Sequence, residues 1–259
     1  MAIRWVYRKP QWGELVDWDA WQMPRPVGEW WCNDNAGNLL NDASGNLNHG
    51  TLTNMDPATD WVPTQYGTAL DFDSSNDHVL CGNPQITGNA FSCVVNCLRN
   101  STTARMLWRH ANAGAGKGLY LYIQSTAVEV MIGSPTPTYR SFAYTMPTAT
   151  WVRLGVTWDG TTCRFYTNGI EPAAASTTAG TYTRAVDHVF AIGMWNSNLY
   201  WNGSVVECNY FPLALDQSQV QALQGRVPIW QPTYYSFASA AAATSIPLPI
   251  LTSSRRRSA

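Results

Sequence analysis

The sequence predicts an all-β domain in which two antiparallel sheets pack face to face, with one short helix outside them. Residues 27–211 consist of short runs of alternating apolar and polar residues separated by turn residues, which is the pattern of half-buried strands. Asp159-Gly160 lies between two such runs and is a strong signal for a hairpin turn. A chain of 259 residues is long enough to bury the core of a single sandwich of this kind.

The individual strands follow from the alternation within each run. In residues 91–98 all the odd positions are apolar, so one face of that strand should point into the core. Residues 119–123 and 128–132 flank a short turn and predict a hairpin. The other runs with this pattern are residues 153–158, 163–167, 189–193 and 204–211. Residues 215–223 predict the helix, because Asp216 is a favoured N-cap residue and Gly225 follows the last apolar position.

The composition argues against several classes of function. Charged residues make up 13% of the chain and the formal net charge is −1, so no basic surface of the kind that binds nucleic acid is expected. No apolar run approaches the roughly 20 residues that a membrane-spanning helix needs. The first residues lack the apolar stretch of a secretory signal peptide, so we expect the protein to be made and assembled in the cytoplasm.

The six cysteines are expected to be free thiols. Four of them, Cys93, Cys97, Cys163 and Cys208, lie inside strand patterns, where cysteine serves as a small buried apolar residue. Without a secretory signal, an even number of cysteines is weak evidence for disulfides.

Residues 41–52 form the most distinctive loop of the chain. The loop is rich in Asn, Asp, Ser and Gly, which tolerate turn conformations, and it runs into the strand-like Thr51-Leu52-Thr53. It also concentrates oxygen donors such as the Asp42 carboxylate and the amides of Asn46 and Asn48, which are ligand types that Ca²⁺ prefers. Two interpretations stay open: a loop closed by its own hydrogen bonds, and a calcium site.

The order of motifs around this loop resembles a known family. Trp30-Trp31-Cys32 ends a strand, residues 42–52 form an Asp-x-Ser-Gly-Asn-x-Asn-His-Gly-Thr-Leu loop, and residues 66–73 are Tyr-Gly-Thr-Ala-Leu-Asp-Phe-Asp. Residues 151–160 and 163–169 resemble the family's Trp-led strand and its Tyr-x-Asn-Gly hairpin, and residues 203–223 resemble its closing strand and short helix. Over residues 27–223 the sequence is similar to laminin-G-like domains, which have the concanavalin A-like jelly-roll fold.

The resemblance also implies a location for the metal. Asp42, Asn48, Gly50 and Glu207 would lie close together and could hold Ca²⁺, the one cofactor expected. The family pattern has an aspartate before the glutamate, but Val206 stands at that position here, which removes one oxygen ligand.

The resemblance divides the chain into an aromatic N-terminal arm (residues 1–26), a jelly roll (residues 27–225) and an extended C-terminal arm (residues 226–259). Both arms are interrupted by proline, and their tryptophans and terminal arginines are residue types that anchor interfaces or pair with carboxylates. The residues predicted to make assembly contacts are Trp5, Trp12, Trp18, Trp21, Arg255, Arg256 and Arg257. In the alternative interpretation both arms pack on their own jelly roll.

The sequence predicts ligand-binding residues but no catalytic ones. Glycosidases of this fold class carry a Glu-x-Asp-x-Glu strand, whereas the five glutamates of this chain are far apart in sequence. In residues 194–202 aromatic rings alternate with amides, a combination that suits sugars. The candidate ligand-binding residues are Trp195, Asn198, Tyr200 and Trp201. The alternative is that Trp195 and Trp201 are core or subunit-contact residues.

These observations favour a non-enzymatic structural or adhesive protein. In general form the chain resembles laminin-G-like proteins encoded by bacteriophages and environmental viruses, which implies a virion component such as a capsid decoration or tail-associated protein. Its partners would then be other virion subunits or copies of itself. The competing hypothesis is a carbohydrate-binding module for cell-surface glycans, and an enzyme that acts on glycosides is the third.

Overall fold

The computed structural model describes residues 2–6, 15–16, 18, 23–112, 117–133, 136–172, 176–177, 182, 188–196, 198–223 and 227–231. The strands in chain order are β1 (Ala2–Val6), β2 (Leu15–Val16), β3 (Gly28–Trp30), β4 (Leu39–Leu40), β5 (Gly50–Thr53), β6 (Trp61–Thr64), β7 (Gly67–Asp73), β8 (His78–Leu80), β9 (Phe91–Arg99), β10 (Arg105–Asn112), β11 (Lys117–Ile123), β12 (Ala127–Gly133), β13 (Thr138–Ala143), β14 (Trp151–Trp158), β15 (Thr162–Thr167), β16 (Ser176–Thr177), β17 (Val189–Ile192), β18 (Asn202–Phe211) and β19 (Val227–Gln231). The one helix among the described residues is α1 (Gln217–Ala222).

Two large antiparallel sheets form the sandwich. Within the described residues, sheet 1 has eight strands in the order β13-β12-β11-β10-β17-β8-β5-β4. Sheet 2 has the order β16-β15-β14-β9-β18-β7-β6, and β3 pairs with β18 beside that path. The predicted all-β jelly-roll sandwich with one short helix is confirmed, and both predicted hairpins are present as β11–β12 and β14–β15.

The core between the sheets is aromatic at its centre. Phe190 stacks on Trp30 with ring centroids 4.8 Å apart, and on Trp108 at 5.9 Å. Tyr210 packs on the same phenylalanine at 4.8 Å. All four side chains are fully buried, as are the odd positions of β9 that the alternation assigned to the core. Large rings from both sheets therefore fill the space between them.

All six cysteines are buried and none forms a disulfide, which confirms the predicted free thiols. Cys93 and Cys208 have their sulfur atoms 3.9 Å apart in the core. Burial raises the pKa of Cys97 and of Cys163, the latter to about 12, so both stay protonated at neutral pH.

Helix α1 lies on the outer face of sheet 2. Asp216 caps its first turn by accepting a hydrogen bond from the Gln219 backbone N–H at 2.9 Å, as the sequence predicted. Val220 packs into a second apolar cluster with Phe211 and Trp18. Trp18 is only 5% exposed and meets Phe211 edge to face at 5.9 Å, so this part of the N-terminal arm packs on its own chain.

Described segments of the two arms also pair with each other. Strands β1 and β2 from the N-terminal arm pair with β19 from the C-terminal arm in a small antiparallel sheet. Trp5 lies in β1 opposite Pro228. The other predicted assembly residues, Trp12, Trp21, Arg255, Arg256 and Arg257, lie outside the described residues. No helix in the described part of the chain is long and apolar enough to cross a membrane.

Candidate functional site

The outer face of sheet 1, which points away from the core, carries a row of side chains in register. Tyr139 of β13 lies opposite Met131 of β12, which lies opposite Tyr120 of β11. Tyr120 in turn lies opposite Arg109 of β10, and Arg109 lies opposite Ala191 of β17. The alternate residues of β11 point into the core, since Leu119, Leu121 and Ile123 belong to the main apolar cluster. The row therefore belongs to the face opposite the core.

Four aromatic side chains gather on this outer face, and we call Tyr120, Tyr122, Tyr139 and Trp195 the aromatic face. Tyr120 is at its centre: the Trp195 ring lies edge-on to it at 5.3 Å, and Tyr139 and Tyr122 lie 6.4 and 6.5 Å from it. Tyr120 is 8% exposed and rests on two buried methionines, whereas Tyr139 is 50% exposed. Rings supported from below and open above offer flat apolar surfaces to a ligand.

The loop after β17 brings Trp195 to this face. It begins at Gly193, whose φ of +87° places its backbone in a region that favours glycine, and a Cβ there would lie 2.6 Å from the Phe72 ring. The Met106 N–H donates to the Leu199 carbonyl at 2.9 Å, which ties the loop to β10. The Trp195 N–H donates to the Asn198 carbonyl at 3.1 Å and closes a turn.

The predicted ligand-binding residues of this loop divide into two groups. Trp195 and Tyr200 are partly exposed, Asn198 is exposed, and the Tyr200 ring lies 5.9 Å from His78, at the start of β8 in sheet 1. Trp201 differs, because it is 1% exposed and lies in the main core. Its assignment as a ligand-binding residue is therefore wrong, since the side chain offers no surface to a ligand; the alternative interpretation of Trp201 as a core residue is correct.

Sequence reasoning missed most of the aromatic face. The signal was present in residues 119–123, where Tyr120 and Tyr122 are the even positions of a run whose odd positions are apolar. In such a strand the apolar face packs on the core, and the face that carries the tyrosines is left to contact a ligand or another part of the protein. Tyr139 was missed because residues 138–143 were not predicted as a strand, so its place beside β12 could not be derived.

Polar groups accompany the rings. The Tyr120 hydroxyl donates to the Glu129 carboxylate, and burial together with this bond raises the pKa of Tyr120 well above its ordinary value. Burial lowers the pKa of Arg109 to about 10, so its guanidinium stays charged at neutral pH. Burial, and to a smaller degree the nearby Arg109 charge, lowers the pKa of His78, which is therefore neutral at pH 7.

The Asp42 loop is closed by hydrogen bonds. Oδ1 of Asp42 accepts from the backbone N–H groups of Glu29 and Ser44 at 2.9 and 3.0 Å, and Oδ2 accepts from that of Asn48 at 2.9 Å. The Asn48 amide donates to the Val27 carbonyl at 2.8 Å. With backbone donors on both carboxylate oxygens, the Asp42 side chain organises the loop as a chain of Asx turns does.

The other two predicted metal ligands do not complete a calcium site. Gly50 pairs with Leu40 in the β4–β5 ladder, and Glu207 forms an ion pair with Arg153. Among the described residues no three His, Cys, Asp or Glu side chains are arranged to hold a metal ion. Gly50 and Glu207 are thus engaged within the protein, and calcium binding stays a prediction of the family resemblance alone.

The calcium question has a direct test. Because the Asp42 oxygens already accept three backbone hydrogen bonds, we expect the melting temperature to change by less than about 1 °C with either excess EDTA or 5 mM CaCl₂. Differential scanning fluorimetry measures this. A calcium-dependent rise of several degrees, absent in the Asp42→Asn variant, would show that the loop rearranges around a metal.

A polar cleft lies on the other sheet, between β15 and the start of α1. Its volume is about 460 Å³, and its lining includes Asp159, Arg164, Glu171 and Asp216. Arg164 is already bonded to both oxygens of Glu171, at 3.2 and 3.0 Å. This cleft has no exposed aromatic ring among its lining residues, in contrast to the aromatic face.

Comparison with known proteins places the chain in a family. The sequence profile of the concanavalin A-like lectin/glucanase superfamily matches residues 73–221, more than half of the chain. No curated protein sequence matches the chain.

Solved structures with the same fold are distant in sequence. Domain 4 of an extracellular GH43 arabinanase from Geobacillus stearothermophilus, in complex with arabinotriose, superposes with a TM-score of 0.62 at 17% identity, covering 77% of this chain and 98% of that one. The receptor-binding domain of botulinum neurotoxin mosaic serotype C/D has a TM-score of 0.59 at 17% identity, and the binding domain of Paraclostridial Mosquitocidal Protein 1 has 0.61 at 12%. Each covers 77% of this chain, which spans 50% and 52% of their lengths. By its profile match and its two-sheet architecture, the chain belongs to the concanavalin A-like lectin/glucanase superfamily.

Proposed function

We propose that the chain is a non-catalytic carbohydrate-binding domain that holds a glycan against the aromatic face. The observation that carries the proposal is the cluster of Tyr120, Tyr122, Tyr139 and Trp195 on the outer face of sheet 1. The apolar C–H face of a sugar ring packs on an aromatic ring, and a few polar groups beside the ring fix the hydroxyls. Glu129 and the exposed Asn198 amide are polar groups of this kind.

The comparisons support a binding role without naming a ligand. One neighbour of the same fold was solved with arabinotriose, and others are receptor-binding or binding domains of toxins. The strands β10–β13, which carry most of the aromatic face, contain a single acidic residue, Glu129. Glycoside hydrolysis ordinarily uses two carboxylates that flank the scissile bond, so this face suits binding better than catalysis.

The test is to replace single rings of the aromatic face and, as a control, an exposed tyrosine that lies elsewhere. We expect Tyr139→Ala to weaken the binding of oligosaccharides by about tenfold, because it removes the most exposed ring of the face, and Trp195→Ala to do the same. Affinities would be measured by isothermal titration calorimetry with the strongest ligand found on an oligosaccharide array.

Tyr66→Ala is the control for this experiment. Tyr66 is similarly exposed, at 45%, but it lies against Trp151 beside sheet 2. Equal losses of affinity in the Tyr66 and Tyr139 variants, or no loss in either, would contradict a binding site on the aromatic face.

A role as a virion component stays a prediction that rests on the general form of the sequence. The contact of Trp18 with Phe211 supports, for that part of the N-terminal arm, the alternative in which the arms pack on their own domain, whereas β1, β2 and β19 pair the two arms with each other. A glycan-binding domain displayed on a virus particle would be consistent with both the carbohydrate-binding hypothesis and the virion hypothesis.

A further inference from the structure

Glu129 of β12 stands among the rings of the aromatic face. It lies opposite Tyr122 in the β11–β12 register and opposite Ser141 in the β12–β13 register. The residues on either side of it along the strand belong to the core cluster, so the Glu129 side chain lies on the outer face of sheet 1. Its Oε1 accepts the hydroxyl of Tyr120, the ring at the centre of the face. The carboxylate is therefore part of the ring cluster.

This carboxylate has no counter-charge in the described part of the chain. Glu129 is half-buried, and no described donor lies within hydrogen-bond distance of its second oxygen, Oε2. No described lysine or arginine lies within ion-pair distance of it, whereas Glu171 and Glu207 each pair with an arginine. A ligand on the face therefore meets an acceptor oxygen with free lone pairs.

The basic residues of the same strands do not surround Glu129. In the strand register Arg105 and Arg140 each stand opposite a core residue, and Lys117 lies on the side of β11 that faces the core. Arg109 is on the outer side, but it is 6% exposed and its Nη1 donates to two backbone carbonyls at 2.7 and 3.3 Å. Among the described residues of β10–β13, Glu129 is thus the charged group that a ligand on the outer face can reach.

The two nearest tyrosines show which charge dominates beside the rings. Burial is the largest cause that raises the pKa of Tyr120 and of Tyr122, and Glu129 raises both further. Arg105 lowers the pKa of Tyr122, but its effect is smaller than that of Glu129. Tyr120 therefore keeps its proton at neutral pH and remains a donor to Glu129, and the dominant charge at both rings is negative.

We infer that the aromatic face selects uncharged glycans and that Glu129 sets this specificity, because it accepts a hydroxyl of a neutral sugar and repels a carboxylated or sulfated one. This inference rests on the proposed function and names the ligand class of the same site. An ionised carboxylate only accepts hydrogen bonds, so sugar hydroxyls suit it. A second anion would lie against it in a site partly removed from water, where repulsion between like charges is stronger than in bulk solvent.

The experiment is an oligosaccharide array in which each carboxylated or sulfated glycan is printed beside its neutral counterpart, methyl-esterified or desulfated. We expect the neutral member of each pair to bind at least about tenfold more tightly at 50 mM NaCl. The difference should narrow at 500 mM NaCl, because salt screens the repulsion. Equal binding of the two members, or tighter binding of the acidic one, would overturn this inference and leave the proposed function standing.

Two variants assign the effect to Glu129. Glu129→Gln removes the charge and keeps an oxygen that can accept the Tyr120 hydroxyl, so the preference for neutral glycans should fall about tenfold. Glu129→Asp shortens the side chain and keeps the charge, so most of the preference should remain. Glu171→Gln is the matched control, since Glu171 is a glutamate of the other sheet that is already paired with Arg164, and it should leave the preference unchanged.

Circular dichroism and the melting temperature establish that each variant is folded. A preference for neutral glycans that persists undiminished in Glu129→Gln would overturn the assignment to this residue. The comparison of neutral and acidic glycans on the wild-type protein tests the ligand class even if a variant does not fold. If no glycan binds at all, the proposed function fails together with the inference.

Discussion

Replacing Glu29 by glutamine should make the protein more stable above pH 8 and remove most of the pH dependence of its stability between pH 5 and 8. Glu29 lies on β3 and is fully buried. Burial raises the pKa of Glu29 to about 8; the hydrogen bond from the Trp31 indole opposes this, and the nearby Asp42 and Glu207 carboxylates add to it. The side chain is therefore protonated at neutral pH in the folded protein.

The sign of the effect follows from proton binding. In the unfolded chain Glu29 titrates at its ordinary pKa of 4.5, so between pH 4.5 and 8 the folded state holds a proton that the unfolded state has lost. The free energy of unfolding therefore falls as the pH rises through this window and stays low above pH 8. A difference of roughly 3.5 pH units, at about 1.4 kcal/mol for each, sets an upper limit of about 5 kcal/mol.

Glutamine removes the ionisation and keeps an oxygen that can accept the Trp31 bond. Urea unfolding of both proteins at half-unit steps from pH 5 to 9 measures the effect, and the difference between the two curves cancels the contributions of other titrating groups. Glu171→Gln serves as the control, because Glu171 forms a surface ion pair and no change of comparable size is expected. Parallel curves for wild type and Glu29→Gln would show that Glu29 is ionised in the folded protein.

Replacing Phe190 by alanine should lower the free energy of unfolding by about 3–5 kcal/mol. Its ring is the only one among those described that stacks on both Trp30 and Trp108, and it also contacts Tyr210 and His110. Removing it opens a cavity between large rigid rings that have little freedom to collapse into the space.

Phe190→Leu is the matched control, because leucine fills much of the same volume and should cost about 1–2 kcal/mol. Both free energies of unfolding would be measured by chemical denaturation. An unchanged m-value would show that the two losses of stability arise in the folded state. If alanine cost no more than leucine, the stacked rings would not be the centre of the core.

The sequence predicted the sheets well because their signal is local. The alternation in residues 91–98 depends on which face of one strand is buried, and Phe91, Cys93, Val95 and Cys97 all belong to the core. The Asp159-Gly160 turn and the Asp216 cap are set by neighbouring residues in the same way, and both were predicted correctly. The free cysteines followed from the same patterns.

The site was harder to predict because it is assembled from distant segments. Tyr120, Tyr139 and Trp195 meet only when β11, β13 and the loop after β17 are placed on one sheet face, and no spacing in the sequence encodes that. Trp195 and Trp201 are alike in sequence context, yet one lies on the face and the other in the core, since the loop turns between them. Glu207 was expected at a metal, whereas the fold places Arg153 beside it.

The most direct test of the glycan-binding account is a titration of the ¹⁵N-labelled protein with its strongest oligosaccharide ligand, followed by amide chemical-shift changes. We predict that the largest changes fall on β10–β13 around Arg109, Tyr120 and Tyr139, and on the loop that carries Trp195 and Asn198. Changes confined to the polar cleft near Asp159 and Glu171, or to the loop at Asp42, would place the ligand elsewhere and contradict the account.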